Sequence, residues 1–156
     1  MRFALQHSVR PLLATDIAVI AALRYAAFFS DGKRSLDEDA AGLFDLLRGD
    51  GYEAAFVAEA DGRPIGTCLF VRREIAALHD VTPWLAGLVV ASPYRRLGIG
   101  RSLVGAVEHH AAKVGCGKLH LYTEDAEPFY HALGWNVTER MIVEGDPLIL
   151  MDKAIG

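Results

Sequence analysis

Tyr94-Arg95-Arg96-Leu97-Gly98-Ile99-Gly100-Arg101-Ser102-Leu103-Val104 (YRRLGIGRSLV) follows directly on the apolar run Leu85-Ala86-Gly87-Leu88-Val89-Val90-Ala91 (LAGLVVA). Residues 84–91 read as a strand, apolar throughout, as suits a strand covered on both faces. Residues 99–114 read as a helix, with Leu103, Val107 and Ala111 recurring on one side. The turn between them delivers the start of that helix, where backbone N–H groups lack intrahelical partners and carry partial positive charge. Gly98 and Gly100 have no Cβ to hold an anion away from those amides, and Arg95, Arg96 and Arg101 add charge. Together they describe a seat for a phosphate or diphosphate. The same residues would serve a plain chain reversal kept soluble by arginine. Their position between a buried strand and a helix start favours the anion seat.

Two familiar phosphate-binding patterns do not fit. A nucleoside-triphosphate loop ends in Gly-Lys-Ser/Thr, whereas Gly100 is followed by Arg101-Ser102. A dinucleotide fingerprint needs a third glycine where this chain has Leu103.

Working outward, residues 3–10 predict an opening strand ended by Pro11, and Thr15 or Asp16 predicts the cap of a helix reaching residue 29. Ser35-Leu36-Asp37-Glu38 has capping-box spacing, so a second helix should run to residue 48. Residues 53–60 and 65–73 predict a hairpin around the turn Asp61-Gly62-Arg63-Pro64. After the central helix come a strand at 118–122 and a short helix at 127–133 stopped by Gly134. Strands at 136–144 and 148–153 flank the turn Gly145-Asp146-Pro147. The order is an α/β mixture with antiparallel hairpins and one βαβ unit, in a single domain spanning residues 1–156.

Composition narrows the function classes. With 52% apolar and 23% charged residues the chain is globular. A net charge of −4 argues against a broad nucleic-acid surface. No stretch reaches the length of a membrane span and no apolar leader opens the sequence, so a cytoplasmic protein is expected. Cys68 and Cys116 share no spacing signature and read as structural thiols. His109 and His110 are adjacent on a helix and point apart, while His7, His120 and His131 are isolated; no metal site is expected.

Arg95-x-x-Gly98-x-Gly100 resembles the R/Q-x-x-G-x-G/A signature of the GNAT superfamily of acyl-CoA N-acyltransferases. Ala126-Glu127-Pro128-Phe129-Tyr130-His131-Ala132-Leu133-Gly134-Trp135 is similar to that family's A-x-x-F-Y-x-x-L-G-F/W segment, and the whole element order follows the family. The resemblance implies a twisted, mostly antiparallel sheet with flanking helices, and a splayed parallel pair of strands forming an acyl-CoA cleft. It implies that the amides of Leu88 and Val90 pair with the pantetheine arm and that the Leu88 amide polarises the thioester carbonyl. Arg95, Arg96, Gly98, Ile99, Gly100 and Arg101 would then hold the diphosphate. Tyr130 would protonate the departing thiolate, since a phenol keeps its proton at neutral pH. The implied reaction is acetyl transfer from acetyl-CoA to a primary amine of a small molecule or peptide.

Two positions depart from the family pattern. The segment Trp84-Leu85-Ala86-Gly87, where relatives often carry a Glu or His base, cannot titrate; His79, Asp80 and Glu74 are the nearby candidates, with Asp80 taken as the catalytic one, though each reads first as a solvated loop residue. Thr123 replaces a frequent Asn, and its hydroxyl keeps a donor for the pantetheine. The resemblance implies that acceptor choice falls to residues 28–48, 73–83 and 139–147, whose Asp31, Asp37, Glu38, Asp39, Glu139, Glu144 and Asp146 would suit a cationic amine. An acyl-CoA-binding sensor without catalysis is the alternative. The apolar strand around residues 148–151 would either pair across a homodimer or lie inside the monomer's sheet.

Overall fold

Alternation along the sheet strands sets the layering of this protein, seen in a computed structural model that describes residues 6–156. The chain runs β1 (Ser8–Pro11), α1 (Ile17–Arg24), α2 (Leu36–Leu47), β2 (Ala54–Ala60), β3 (Arg63–Val71), β4 (Trp84–Val90), α3 (Ile99–Lys113), β5 (Lys118–Thr123), α4 (Glu127–Ala132), β6 (Asn136–Val143) and β7 (Asp146–Ala154). The start of the expected opening strand, residues 3–5, lies outside the described residues. In β2, Ala55 and Val57 face a core built with Ile17, Ile20, Ala21 and Leu43 of α1 and α2. Ala58 and Ala60 face the opposite core, built with Ile99, Leu103 and Val107 of α3. A sheet buried on both sides follows from that period of two.

The sheet order is β1-β2-β3-β4-β5-β7-β6. Only β4 and β5 run parallel; the other neighbours are antiparallel. The apolar strand around residues 148–151 is thus settled inside the sheet, as β7 between β5 and β6. No helix among the described residues is long and apolar enough to cross a membrane.

Three local details differ from the sequence reading. Asp16 does not cap α1 forwards: its carboxylate accepts the Leu13 amide at 2.8 Å and holds Arg10 at 2.7 and 3.0 Å. A 3-10 turn, Ala14–Asp16, therefore precedes α1, and a π-helical turn, Tyr25–Phe29, follows it. Both hairpin turns are tighter than expected. Asp61-Gly62 and Glu144-Gly145 each have positive φ at both residues, the two-residue geometry that matches strand twist. Pro64 and Pro147 accordingly fall within strands. The Ser35–Glu38 capping box forms as the spacing predicts, with reciprocal bonds of 3.0 and 3.1 Å.

The buried Asp16 sets an acid limit on stability. Its Arg10 partner, then the Leu13 amide, hold its carboxyl below the ordinary value of 3.8 against the opposing cost of burial. A carboxyl depressed on folding contributes stability above its unfolded value and loses it as pH falls through the folded one. Asp16→Asn should therefore lower the melting temperature at pH 7 and flatten its decline below about pH 4. Melting curves of both proteins between pH 2 and 7 check this.

Candidate active site

The parallel pair β4–β5 is joined by a single register pair, Trp84 with His120, and the His120 amide donates to the Pro83 carbonyl at 3.1 Å. Past that point the parallel ladder ends. On the other side β4 stays paired: the Ala91 amide donates to the Ile65 carbonyl of the β3 side at 2.8 Å. Backbone groups alternate along a strand, so the N–H and C=O of Leu88 and Val90 point the opposite way, into the gap. Arg95 folds back to that rim, its Nε donating to the Val90 carbonyl at 2.9 Å.

β4 also carries a bulge. Between the pairs Thr67–Val89 and Leu69–Ala86, β3 advances two residues and β4 three. Gly87 supplies the extra residue at φ +65°, a backbone state that favours glycine. The kink turns the segment around Leu88 out of the ladder.

At the head of α3, Gly98 is the N-cap in the left-handed region at φ +83°, with no side chain capping the helix. A Cβ there would meet nothing within 4 Å, so the front of the turn is open. Arg95, Arg96, Leu97, Gly98 and Arg101 are exposed, while Ile99 is buried and roots the turn in the core. A Cβ on Gly100 would lie 3.6 Å from Phe129 and 3.9 Å from Leu88. The start of α3, the α4 helix and the bulged part of β4 therefore meet at one point. A cavity of about 300 Å³, lined by Arg101, Val104, Glu108, Leu133 and Lys153 among others, lies between α3 and the end of α4. The open, uncapped glycine turn with its arginines fits a diphosphate, and the gap beside it fits an extended, amide-bearing arm.

Tyr130 is 6% exposed on α4, edge-on to Phe129 and Trp135. Burial, and then the nearby Cys68, push its phenol well above the ordinary value, so it stays protonated at any physiological pH. Cys68 is itself fully buried, and burial pushes its thiol up, which leaves it inert. The Thr123 hydroxyl accepts the Ala126 amide at 3.0 Å, so it shapes the start of α4 while its own proton remains available.

The base candidates part company. Asp80 is solvated, its side chain 92% exposed and paired to Arg73 at 2.7 Å. His79 is tied between the Tyr122 hydroxyl at 2.7 Å and the Glu139 carboxylate. Glu74 is half-buried, and burial pushes its carboxyl above the ordinary 4.5, partly offset by the Ile75 amide and the charge of Arg24.

The three segments expected to choose the acceptor do come together. Lys33 reaches Glu144 at 3.2 Å across the α1–α2 loop and the β6–β7 turn, and His79 joins the β3–β4 loop to Glu139 of β6. Asp39 behaves differently from the other acids: it is 1% exposed and holds both Arg24 and Arg34. Sequence reading passed over Arg24. Its signal was position, since it takes the next place in the apolar stripe Ile17, Ile20, Ala21 where a charge needs a buried partner.

Comparison with known proteins agrees with this geometry. Residues 18–135 match the model of the acetyltransferase (GNAT) family. The chain is 30% identical over 105 residues to an aminoglycoside N(6')-acetyltransferase type 1 of Salmonella typhimurium strain LT2, covering 63% of this chain and 72% of that one. An N-acetyltransferase from Staphylococcus aureus Mu50 superposes with a TM-score of 0.81 at 16% identity, over 96% of this chain and 98% of the other. An aminoglycoside 6'-N-acetyltransferase solved with coenzyme A gives a TM-score of 0.75 at 17% identity, over 94% and 96%. With its splayed β4–β5 pair, its bulge and its glycine-headed α3 matched by a family model over most of its length, the chain belongs to the GNAT acetyltransferase family.

Proposed function

We propose that this acetyltransferase moves the acetyl group of acetyl-CoA onto a primary amine of a small molecule or peptide, by direct attack through a tetrahedral intermediate. The observation that carries the reading is the gap beyond Trp84 and His120, beside which the open glycine turn and Leu88 meet Phe129, the residue before Tyr130 on α4. Acetyl-CoA brings an activated thioester, and the protein's residues do the rest. The amides of the α3 turn, with Arg96 and Arg101, hold the diphosphate, and those of Leu88 and Val90 hold the arm. The Leu88 amide donates to the carbonyl oxygen as negative charge develops there. Tyr130 supplies the proton that the leaving thiolate needs.

The amine must lose a proton, and Glu74 is the residue we assign to take it, in place of the solvent-paired Asp80. A partly desolvated carboxyl with a raised proton affinity is a better base than an ordinary one. Glu74→Gln should lower kcat/KM by about 10²-fold at pH 7. The wild type should gain activity as pH rises through a value above the ordinary 4.5 of a glutamate, and the variant should lack that limb. A pH profile of kcat/KM checks it, and an unchanged acid limb in the variant returns the role to water.

The whole reading is tested by release of free thiol from acetyl-CoA in the presence of an amine panel. Binding of acetyl-CoA with no thiol release across the panel would favour the sensor alternative, whose support is the absence of a titratable residue on β4.

A further inference from the structure

One donor of a buried guanidinium finds no acceptor among the described residues. Arg24 gives its Nε and Nη2 to the two oxygens of Asp39, at 2.9 and 3.1 Å. Arg34 Nε shares Asp39 Oδ1 at 3.1 Å. Arg24 is 4% exposed and Asp39 1%. One carboxylate thus serves two guanidinium groups, the buried Arg24 and the quarter-exposed Arg34. The remaining nitrogen, Arg24 Nη1, is buried and has no hydrogen-bond partner among the described residues.

That nitrogen is aimed at the bulge of β4. A Cβ built on Gly87 would lie 2.2 Å from it, so the absence of a side chain there is what admits the guanidinium. Gly87 itself is half-buried. Arg24 Nη1 therefore lies against the side-chain face of Gly87, one residue before Leu88. An unmet buried donor is costly, and a buried charge seeks an opposite one. The carboxyl of Glu74 feels the charge of Arg24, but it accepts the Ile75 amide at 2.9 Å and makes no ion pair with Arg24. At the surface, Glu139, Glu144 and Asp80 hold His79, Lys33 and Arg73. The interior, by contrast, has an unused donor for an anion.

We propose that Arg24 Nη1 anchors a carboxylate of the acceptor, so that the substrate is an α-amino acid or a similar small amine with a carboxylate beside its nitrogen. This deepens the acetyl-transfer reading and rests on it for the identity of the cleft. A carboxylate held at the bulge carries its neighbouring amine on the same molecule to the Glu74 side and to the Leu88 amide. Charge-assisted bonds to guanidinium are among the stronger contacts available, which makes the carboxylate a selective handle.

Calorimetric titration of the full chain, saturated with coenzyme A, tests this with common α-amino acids and their C-terminal amides. At least one acid should bind about tenfold or more tightly than its own amide. The double variant Arg24→Met/Asp39→Asn, which removes both members of the pair, should bring that ratio to within about twofold. Equal binding of every acid and amide, no binding of any acid, or a ratio that survives in the folded double variant overturns the proposal. Should the variant not fold, nitrogen NMR of the Arg24 guanidinium in the wild type decides: its Nη signal shifts with the acid and not with the amide, or the anchor is wrong. An amino acid that binds through Arg24 yet releases no thiol from acetyl-CoA would refute transfer to that amine and leave the anchor standing.

Discussion

Replacing Tyr130 by Phe is expected to cut turnover at least about tenfold while acyl-CoA affinity stays within about twofold. The substitution removes only the oxygen. The ring remains wedged edge-on between Phe129 and Trp135, so α4 keeps its packing and the cleft its shape. What disappears is the one phenol that burial holds protonated beside the junction of β4, α3 and α4. A thiolate expelled without a nearby proton leaves less readily, so the loss belongs in kcat. Steady-state kinetics paired with acetyl-CoA titration separates the two effects. A full rate with the physiological amine would remove Tyr130 from the acid role, and weakened cofactor binding at full kcat would make it a packing residue.

The largest effect on stability should come from Asp39→Ala. Asp39 is 1% exposed and bridges Arg24, 5% exposed at its side chain, and Arg34. Removing one partner of a buried ion pair leaves the other charge without compensation, typically at about 3–5 kcal/mol. The loss is asymmetric, because Arg34 is a quarter exposed and can turn to water while Arg24 cannot. Denaturant unfolding should show the midpoint of Asp39→Ala falling far more than that of Arg34→Ala. Equal midpoints would mean that the cluster is better hydrated than its burial indicates.

Sequence reading reached the fold because the informative stretches are local. The apolar run into YRRLGIG can only be a buried strand entering a helix, and Ser35 to Glu38 closes the reciprocal bonds its spacing foretells. The tight turns were placed at the right glycines but drawn too long. Asp and Glu at positive φ are invisible until a two-residue loop demands them. The candidate site was legible where a motif points to it, in the glycine turn and at Tyr130. It was illegible where distant residues cooperate. Nothing in the β3–β4 loop distinguishes Glu74 from Asp80 by type; the fold does, half-burying one and pairing the other with Arg73 in water. The same holds for Arg24, whose meaning depends on a glycine 63 positions away in the chain.

The placement of β7 has a consequence for how this molecule is made. β5, the far wall of the cleft, gains its second neighbour only from residues 146–154, and β6 reaches the sheet through β7 alone. During synthesis the edge of β5 stays bare until those residues have left the ribosome, whatever the earlier strands have achieved. Ribosome-stalled chains ending before residue 146 should therefore be protease-sensitive around β5, and cofactor binding should emerge abruptly rather than by degrees as the chain lengthens.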